Sequence, residues 1–352
     1  MKIIDLFCGA GGLSLGFEQS GFKVISAIDN CKSSIETFNK NHPEKPGKCI
    51  EVSEFNKKEL SRILANEKIT GVIGGPPCQG FSSARLSDYK NEITKLNEKR
   101  NKLYIDFFNC VKMSKPDFFL IENVKGMAKL NDGAFLKDIE QRFGKLGYSI
   151  YPSILNASEY GVPQRRERVF IVGMLKEGFV FPQKDFELIS SSDAISDLPS
   201  KPSNENVSKL RSNPKNDYQK RLRGNITCVY NHQVTNHTEQ TINIISQVPD
   251  GGNIKSLPEK YWKVRRFNKA FQRMNSKEPS LTIDTGHRNY FHYKENRIPT
   301  VRECARLQSF PDSFKFEGNK SEQYRQVGNA VPPILSFKIA REIKRVLLNS
   351  NL

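Results

Sequence analysis

The sequence predicts an α/β fold: a doubly wound, mainly parallel sheet carrying a smaller inserted domain. Three observations support this. Short apolar runs rich in β-branched residues alternate with stretches of helical periodicity. A glycine-rich turn follows the first run and an acid closes the second. From about residue 181 to 225 Pro, Ser, Asn and Lys dominate, and the alternation returns only near Pro299.

Taken in order, Ile3 to Phe7 forms a short buried strand, followed by Cys8-Gly9-Ala10-Gly11-Gly12. A helix with Leu13, Phe17 and Ser20 on one side leads to a second strand, Val24 to Ile28, ending at Asp29. Gly9 and Asp29 are 20 residues apart, the separation expected of a carboxylate that accepts from a ribose hydroxyl. The third glycine of a pyrophosphate fingerprint would fall at Ser14. The loop therefore suits a nucleoside without phosphates better than a dinucleotide, a plain turn being the alternative. Leu60, Ile63 and Leu64 mark a helix ahead of the strand at Val72-Ile73. Leu103, Phe107 and Val111 mark another ahead of Phe118 to Ile121. Phe135, Ile139, Phe143 and Leu146 give a further helical face, with Ile150 to Leu155 and Val169 to Val172 as the last strands. Leu335, Ile339, Ile343 and Val346 predict a closing helix that packs back on the first domain. The expected division is 1–184 plus 299–352 for one domain and 185–298 for the other.

The chain is long enough for a substantial core, and its formal charge of +17 points to a polyanionic partner. Residues 201–275 hold 14 Lys+Arg against 5 Asp+Glu, so the excess concentrates in the inserted region. Seven scattered cysteines, with no Cys-x-x-Cys pair and no Cys/His cluster of zinc spacing, indicate neither a disulfide framework nor a metal site. No signal peptide or membrane-spanning run is evident, so a soluble cytoplasmic protein is expected.

The chemistry centres on Gly74-Gly75-Pro76-Pro77-Cys78-Gln79. Glycines and prolines stop the Val72 strand abruptly and deliver a cysteine to the carboxyl edge of the sheet, where ligands bind in such folds. A lone cysteine is ordinarily a small buried hydrophobe. This rigid setting argues for a nucleophile instead. Glu122 follows the apolar strand 118–121, and Gln164-Arg165-Arg166-Glu167-Arg168 precedes the strand 169–172. Singly, these are a loop acid and an Arg-rich turn. Together with Cys78 and the glycine loop they argue for catalysis.

These segments resemble the bacterial cytosine-5 DNA methyltransferases of restriction-modification systems. The matching blocks run in family order: Asp5-Leu6-Phe7-Cys8-Gly9-Ala10-Gly11-Gly12, Gly75-Pro76-Pro77-Cys78-Gln79, Glu122-Asn123-Val124, Gln164 to Arg168, Arg302 to Pro311, and Gln326 to Pro333. The resemblance implies S-adenosylmethionine as cofactor, held by Phe7, Gly9, Ala10, Gly11, Gly12 and Leu13. It implies Asp29 on the ribose with Asn30 beside it, Pro77 and Leu103 as flanking residues, and Asn329 and Ala330 at the methionine end. Two departures stand out. The family usually has Glu at the place of Asp29, and Gly-Asp-Ile where this chain has Cys49-Ile50-Glu51-Val52, so Glu51 takes the adenine-side role.

The implied catalytic set is Cys78, Glu122, Arg166 and Arg168, acting on a cytosine flipped out of duplex DNA. Loop 79–100 is expected to close on DNA through Gln79, Gly80, Ser82, Ser83 and Arg85. In the inserted target-recognition domain, Arg265 and Arg266 are candidate phosphate contacts, and Arg288 and Asn289 candidates for base readout. Expected partners are double-stranded DNA and a restriction endonuclease acting on the same site, with the chain itself a monomer. An RNA cytosine-5 methyltransferase, a nicotinamide-dependent oxidoreductase and a catalytically dead homologue are the competing readings.

Overall fold

A computed structural model describes residues 1–42, 44, 47–77, 103–129, 133–200, 207–262, 271–285 and 290–349. Two compact units emerge. The first comprises Met1–Asn156, Glu167–Gln183 and Leu335–Leu352, and the second Ala157–Arg166 and Lys184–Ile334.

The chain runs β1 (Lys2–Leu6), α1 (Gly12–Gln19), β2 (Lys23–Asp29), α2 (Lys32–Asn41), β3 (Lys48–Cys49), α3 (Val52–Lys58), α4 (Leu60–Asn66) and β4 (Gly71–Gly74). It continues with α5 (103–114), β5 (Phe118–Val124), α6 (Gly126–Lys129), α7 (Ala134–Gly144), β6 (Ser149–Asn156), β7 (Gln164–Arg165) and β8 (Glu167–Met174). All but β7 belong to the first unit. Their sheet has seven strands in the order β3-β2-β1-β4-β5-β8-β6. β1 pairs in parallel with β2 and β4, and β4 in parallel with β5. β8 is antiparallel to both of its neighbours, so the sheet is mainly parallel with one reversed strand.

Burial on both faces explains why these strands read as near-continuous apolar runs. On one face Phe17 of α1 stacks on Phe118 at 6.0 Å between centroids. On the other, Phe143 of α7 lies 4.1 Å from Phe119. The closing helix α13 (Pro333–Leu348) buries Leu335, Ile339 and Ile343, and Ser336 donates to Leu13 O at 2.6 Å, so it returns to α1 as its periodicity predicts.

Two strand limits differ from expectation. β5 runs through Val124 rather than ending at Ile121, so Glu122 lies in the strand, not after it. The cause is β8, which pairs with β5 as far as Val124↔Arg168. For the same reason β8 begins at Glu167.

The second unit holds α8 (Ser191–Ile195), β9 (Val207–Lys209), α9 (Asp217–Arg223), β10 (Cys228–Tyr230), α10 (Glu239–Gln247), β11 (Ser280–Leu281), α11 (Val301–Leu307) and α12 (Lys320–Asn329). Residues 299–334, grouped with the first domain from the sequence, lie in this unit. Buried arginines tie them there. Arg306 pairs with Asp197 at 3.0 Å and with Asp312 at 2.5 Å, all three fully buried. Arg302 donates to the carbonyls of Tyr230 and Pro311. Thr300 caps α11 in a box with Glu303, whose carboxylate accepts two 2.7 Å bonds from Arg297. Among the described residues no helix is long and apolar enough to cross a membrane.

Candidate active site

β1, β2, β4 and β5 are parallel neighbours, so their carboxyl ends share one edge of the sheet. Each delivers a predicted residue there. After β1 the backbone turns sharply: Phe7, Gly9 and Gly11 all have positive φ, at 61°, 53° and 94°. Gly11 caps α1, while its own N–H donates to Cys8 O at 2.9 Å. A side chain built on Gly9 would meet no atom within 4 Å among the described residues, so the loop presents an open face of backbone.

Asp29 ends β2 and braces this loop. Its Oδ2 accepts the Gly9 N–H at 2.9 Å and its Oδ1 the Cys31 N–H at 2.8 Å. Burial is the largest influence on this carboxyl and raises its pKa against those hydrogen bonds. Each oxygen keeps a further lone pair, so the acid holds the loop and can still accept from a ligand. Asn30 donates to Glu51 Oε1 at 3.1 Å, both side chains being exposed. Ala10, Gly12 and Leu13 are buried, and Phe7 is half-buried.

Asp5 was not among the sequence candidates. It lies fully buried in β1, accepts from Ser14 Oγ at 2.6 Å, and burial pushes its pKa up to about 8. Its other oxygen has no hydrogen-bond partner among the described residues. An acid inside the run Ile3-Ile4-Asp5-Leu6 was the available signal. Ser14, standing where the third glycine of a dinucleotide fingerprint would be, uses its hydroxyl on Asp5.

After β4, Gly75 and Pro76 approach the end of β5. The side-chain amide of Asn123 donates to Pro76 O at 2.7 Å. A Cβ on Gly75 would lie 3.2 Å from Glu122 Oε2. The reversed strand brings its first residues to the same edge, where Arg168 Nε lies 3.2 Å from Glu122 Oε1. Both side chains are more than four-fifths buried. The guanidinium also donates to Glu167 O at 2.8 Å, which fixes its fork. Glu122 is thus held between Arg168 and the Gly75 turn. Pro77 is exposed and Leu103 half-buried in the first turn of α5.

Cys78, Gln79, Gly80, Ser82, Ser83, Arg85, Arg265, Arg266, Arg288 and Asn289 lie outside the described residues. Arg166, Asn329 and Ala330 belong to the second unit, Arg166 being almost fully buried and Asn329 exposed. There an amide chain, unanticipated from the sequence, links separate segments. The Ile283 N–H donates to Gln164 Oε1 at 3.1 Å, Gln164 donates to Gln308, and Gln308 donates to Ala330 O at 2.6 Å.

Comparison with known proteins shows the family. Residues 1–345 match the family described as C-5 cytosine-specific DNA methylase. The Type II methyltransferase M1.HphI of Haemophilus parahaemolyticus is 35% identical over 351 residues, covering 99% of this chain and 88% of its own length. M.FnuDI of Fusobacterium nucleatum, another Type II methyltransferase, is 35% identical over 363 residues, covering 99% and 95%. A prophage-encoded E. coli chain, described as a DNA modification methyltransferase, superposes with a TM-score of 0.83 at 27% identity over 99% of both chains.

Proposed function

The chain belongs to the C-5 cytosine-specific DNA methylase family, and from that premise we propose which of its residues transfer a methyl group to carbon 5 of cytosine in DNA. It is a DNA cytosine-5 methyltransferase whose relatives are Type II restriction-modification enzymes. The observation that carries the residue assignment is Glu122, held at the sheet edge by Arg168 and set against the turn that leads to Cys78.

The open glycine loop with Asp29 behind it fits S-adenosylmethionine, which has a ribose to bind and no phosphate to seat on a helix N-terminus. Phe7, Gly9, Ala10, Gly11, Gly12 and Leu13 would hold it, with Asp29 at the ribose. Asn30, Glu51, Pro77 and Leu103 would flank the nucleoside, and Asn329 and Ala330 would take the methionine end. When bound, the cofactor supplies an electrophilic methyl group. The same fit speaks against a nicotinamide cofactor, since Ser14 replaces the glycine that would admit a diphosphate.

Carbon 5 of cytosine is too weakly nucleophilic to be methylated unaided. The Cys78 thiolate adds to carbon 6, and the ring becomes an enamine reactive at carbon 5. Glu122 hydrogen-bonds ring nitrogen 3 and stabilises the charge that develops there. Arg168 orients Glu122 and reaches the exocyclic oxygen, and Arg166 completes the catalytic set that the family resemblance implies. After transfer a base takes the carbon-5 proton, the 5,6 double bond re-forms and the thiolate leaves carbon 6.

The base must be everted for this, at a cost of a few kcal/mol. Gln79, Gly80, Ser82, Ser83 and Arg85 would close on the DNA backbone. Arg265 and Arg266 would neutralise phosphates, and Arg288 and Asn289 would read base edges. A cognate endonuclease and a monomeric enzyme acting on cytoplasmic DNA complete the reading. The test is bisulfite sequencing of plasmid DNA from cells expressing the chain. Unconverted cytosines should occur at one fixed sequence context and vanish with Glu122→Gln. No protected context with the wild-type chain would overturn the proposal.

A further inference from the structure

The glycine loop is backed by a histidine that the reaction itself does not use. His42 follows the last residue of α2, and its side chain is 2% exposed. Its Nδ1 lies 2.6 Å from Glu18 Oε2 of α1, and its ring stacks on Phe38 with centroids 4.3 Å apart. A Cβ built on Gly11 would come within 2.8 Å of His42 Nε2 and 2.9 Å of the Phe38 ring. The imidazole and the Phe38 ring it stacks on together fill the space that a side chain at Gly11 would need.

Gly11 and Glu18 are seven residues apart, two helical turns, and so face the same way. Helical side chains lean towards the N-terminus, which carries the Glu18 carboxylate back along α1 towards the loop. One ring thus meets both ends of α1. Its edge abuts the backbone at the left-handed Gly11, and Glu18 fixes which edge that is. An aliphatic residue could fill the volume, but it would have no polar atom for Glu18 to orient.

We propose that His42 is a positioning residue for the cofactor loop, with Glu18 holding its ring against Gly11. The inference rests on the reading of Gly9–Gly12 as the S-adenosylmethionine cradle. The ring limits the loop's alternatives before ligand arrives, so losing it lowers affinity for the cofactor without touching the reacting atoms.

The test is equilibrium binding of S-adenosylmethionine and S-adenosylhomocysteine to the full chain without DNA, by calorimetry. His42→Ala should weaken both about tenfold, and Glu18→Gln about threefold. In steady state the loss should fall on KM for the cofactor and not on kcat. Gly11→Ala should also weaken binding. Wild-type binding by His42→Ala and Glu18→Gln, with Gly11→Ala impaired, would overturn the proposal and leave the cradle standing. Wild-type binding by Gly11→Ala would overturn the cradle, and the proposal with it. Should His42→Ala fail to fold, the partly exposed Glu18→Gln decides by the same criterion.

Discussion

Alanine at Gly75 is a small change aimed at the best-defined part of the site. Its Cβ would sit 3.2 Å from Glu122 Oε2 and 3.6 Å from Glu122 O, with ordinary contacts beginning at 3.4 Å. Something must therefore shift by a few tenths of an ångström. Glu122 resists, because Arg168 holds its other oxygen at 3.2 Å, and the turn resists through the Asn123 bond to Pro76 O at 2.7 Å. A misplacement of about 1 Å costs on the order of 100-fold in rate, so a shift of this size should cost about three- to tenfold in the chemical step. Stability should change little, about 1 kcal/mol or less, since no cavity opens and no buried group loses a partner. Single-turnover methylation of a cytosine-containing duplex separates the chemical step from product release, and thermal unfolding reports the fold. Gly126→Ala, where a Cβ would meet no atom within 4 Å among the described residues, serves as the control and should leave both unchanged. A wild-type single-turnover rate for Gly75→Ala would refute the idea that Glu122 is held in place by this turn.

Other outcomes follow from the same structure. Asp5 binds its proton more tightly folded than unfolded, its pKa being raised to about 8 by burial. Its contribution to stability is therefore present below pH ~4 and is lost as pH rises through about 8, at up to about 1.4 kcal/mol per pH unit. Asp5→Asn should flatten that decline in denaturant titrations between pH 5 and 8, and an unchanged slope would contradict it. Arg306→Met leaves Asp197 and Asp312 buried without their guanidinium and should cost about 3–5 kcal/mol, read as a fall in the denaturation midpoint. Gln308→Leu removes the middle of the amide chain from Ile283 to Ala330. It should cost about 1–3 kcal/mol by the same measure. If several phosphates are neutralised, DNA affinity should fall by about 10³-fold between 50 and 200 mM salt. A flat response would remove the basic region from the interface.

The alternation of apolar strands and amphipathic helices was enough to place the sheet, because the parallel strands are buried on both faces and each helix has one apolar side. Asp29 and Glu122 were legible for a related reason. Each is an acid close behind a short apolar run, and the topology sends the ends of parallel strands to one edge. The strand limit at Ile121 misled because Glu122 and Asn123 are polar, and their pairing with β8 is a partnership at long sequence separation that no local pattern reports. Long-range contacts hid the rest as well. The seat of His42 against Gly11 spans two helices and a strand, and the chain through Gln164 and Gln308 joins residues more than 140 positions apart. The division at 299 followed the return of periodicity. The buried pair of Arg306 with Asp197 that ties α11 to the second unit joins residues 109 positions apart, a contact no local pattern reports.

The central claim is that the Cys78 sulfur bonds to carbon 6 of the everted cytosine. Duplex DNA carrying 5-fluorocytosine tests it directly, because the fluorine cannot leave as a proton does. With S-adenosylmethionine present, the wild-type chain should form a protein–DNA species that survives boiling in detergent, and Cys78→Ala should form none while still binding the cofactor. A denaturant-stable adduct that persists in Cys78→Ala would contradict the account.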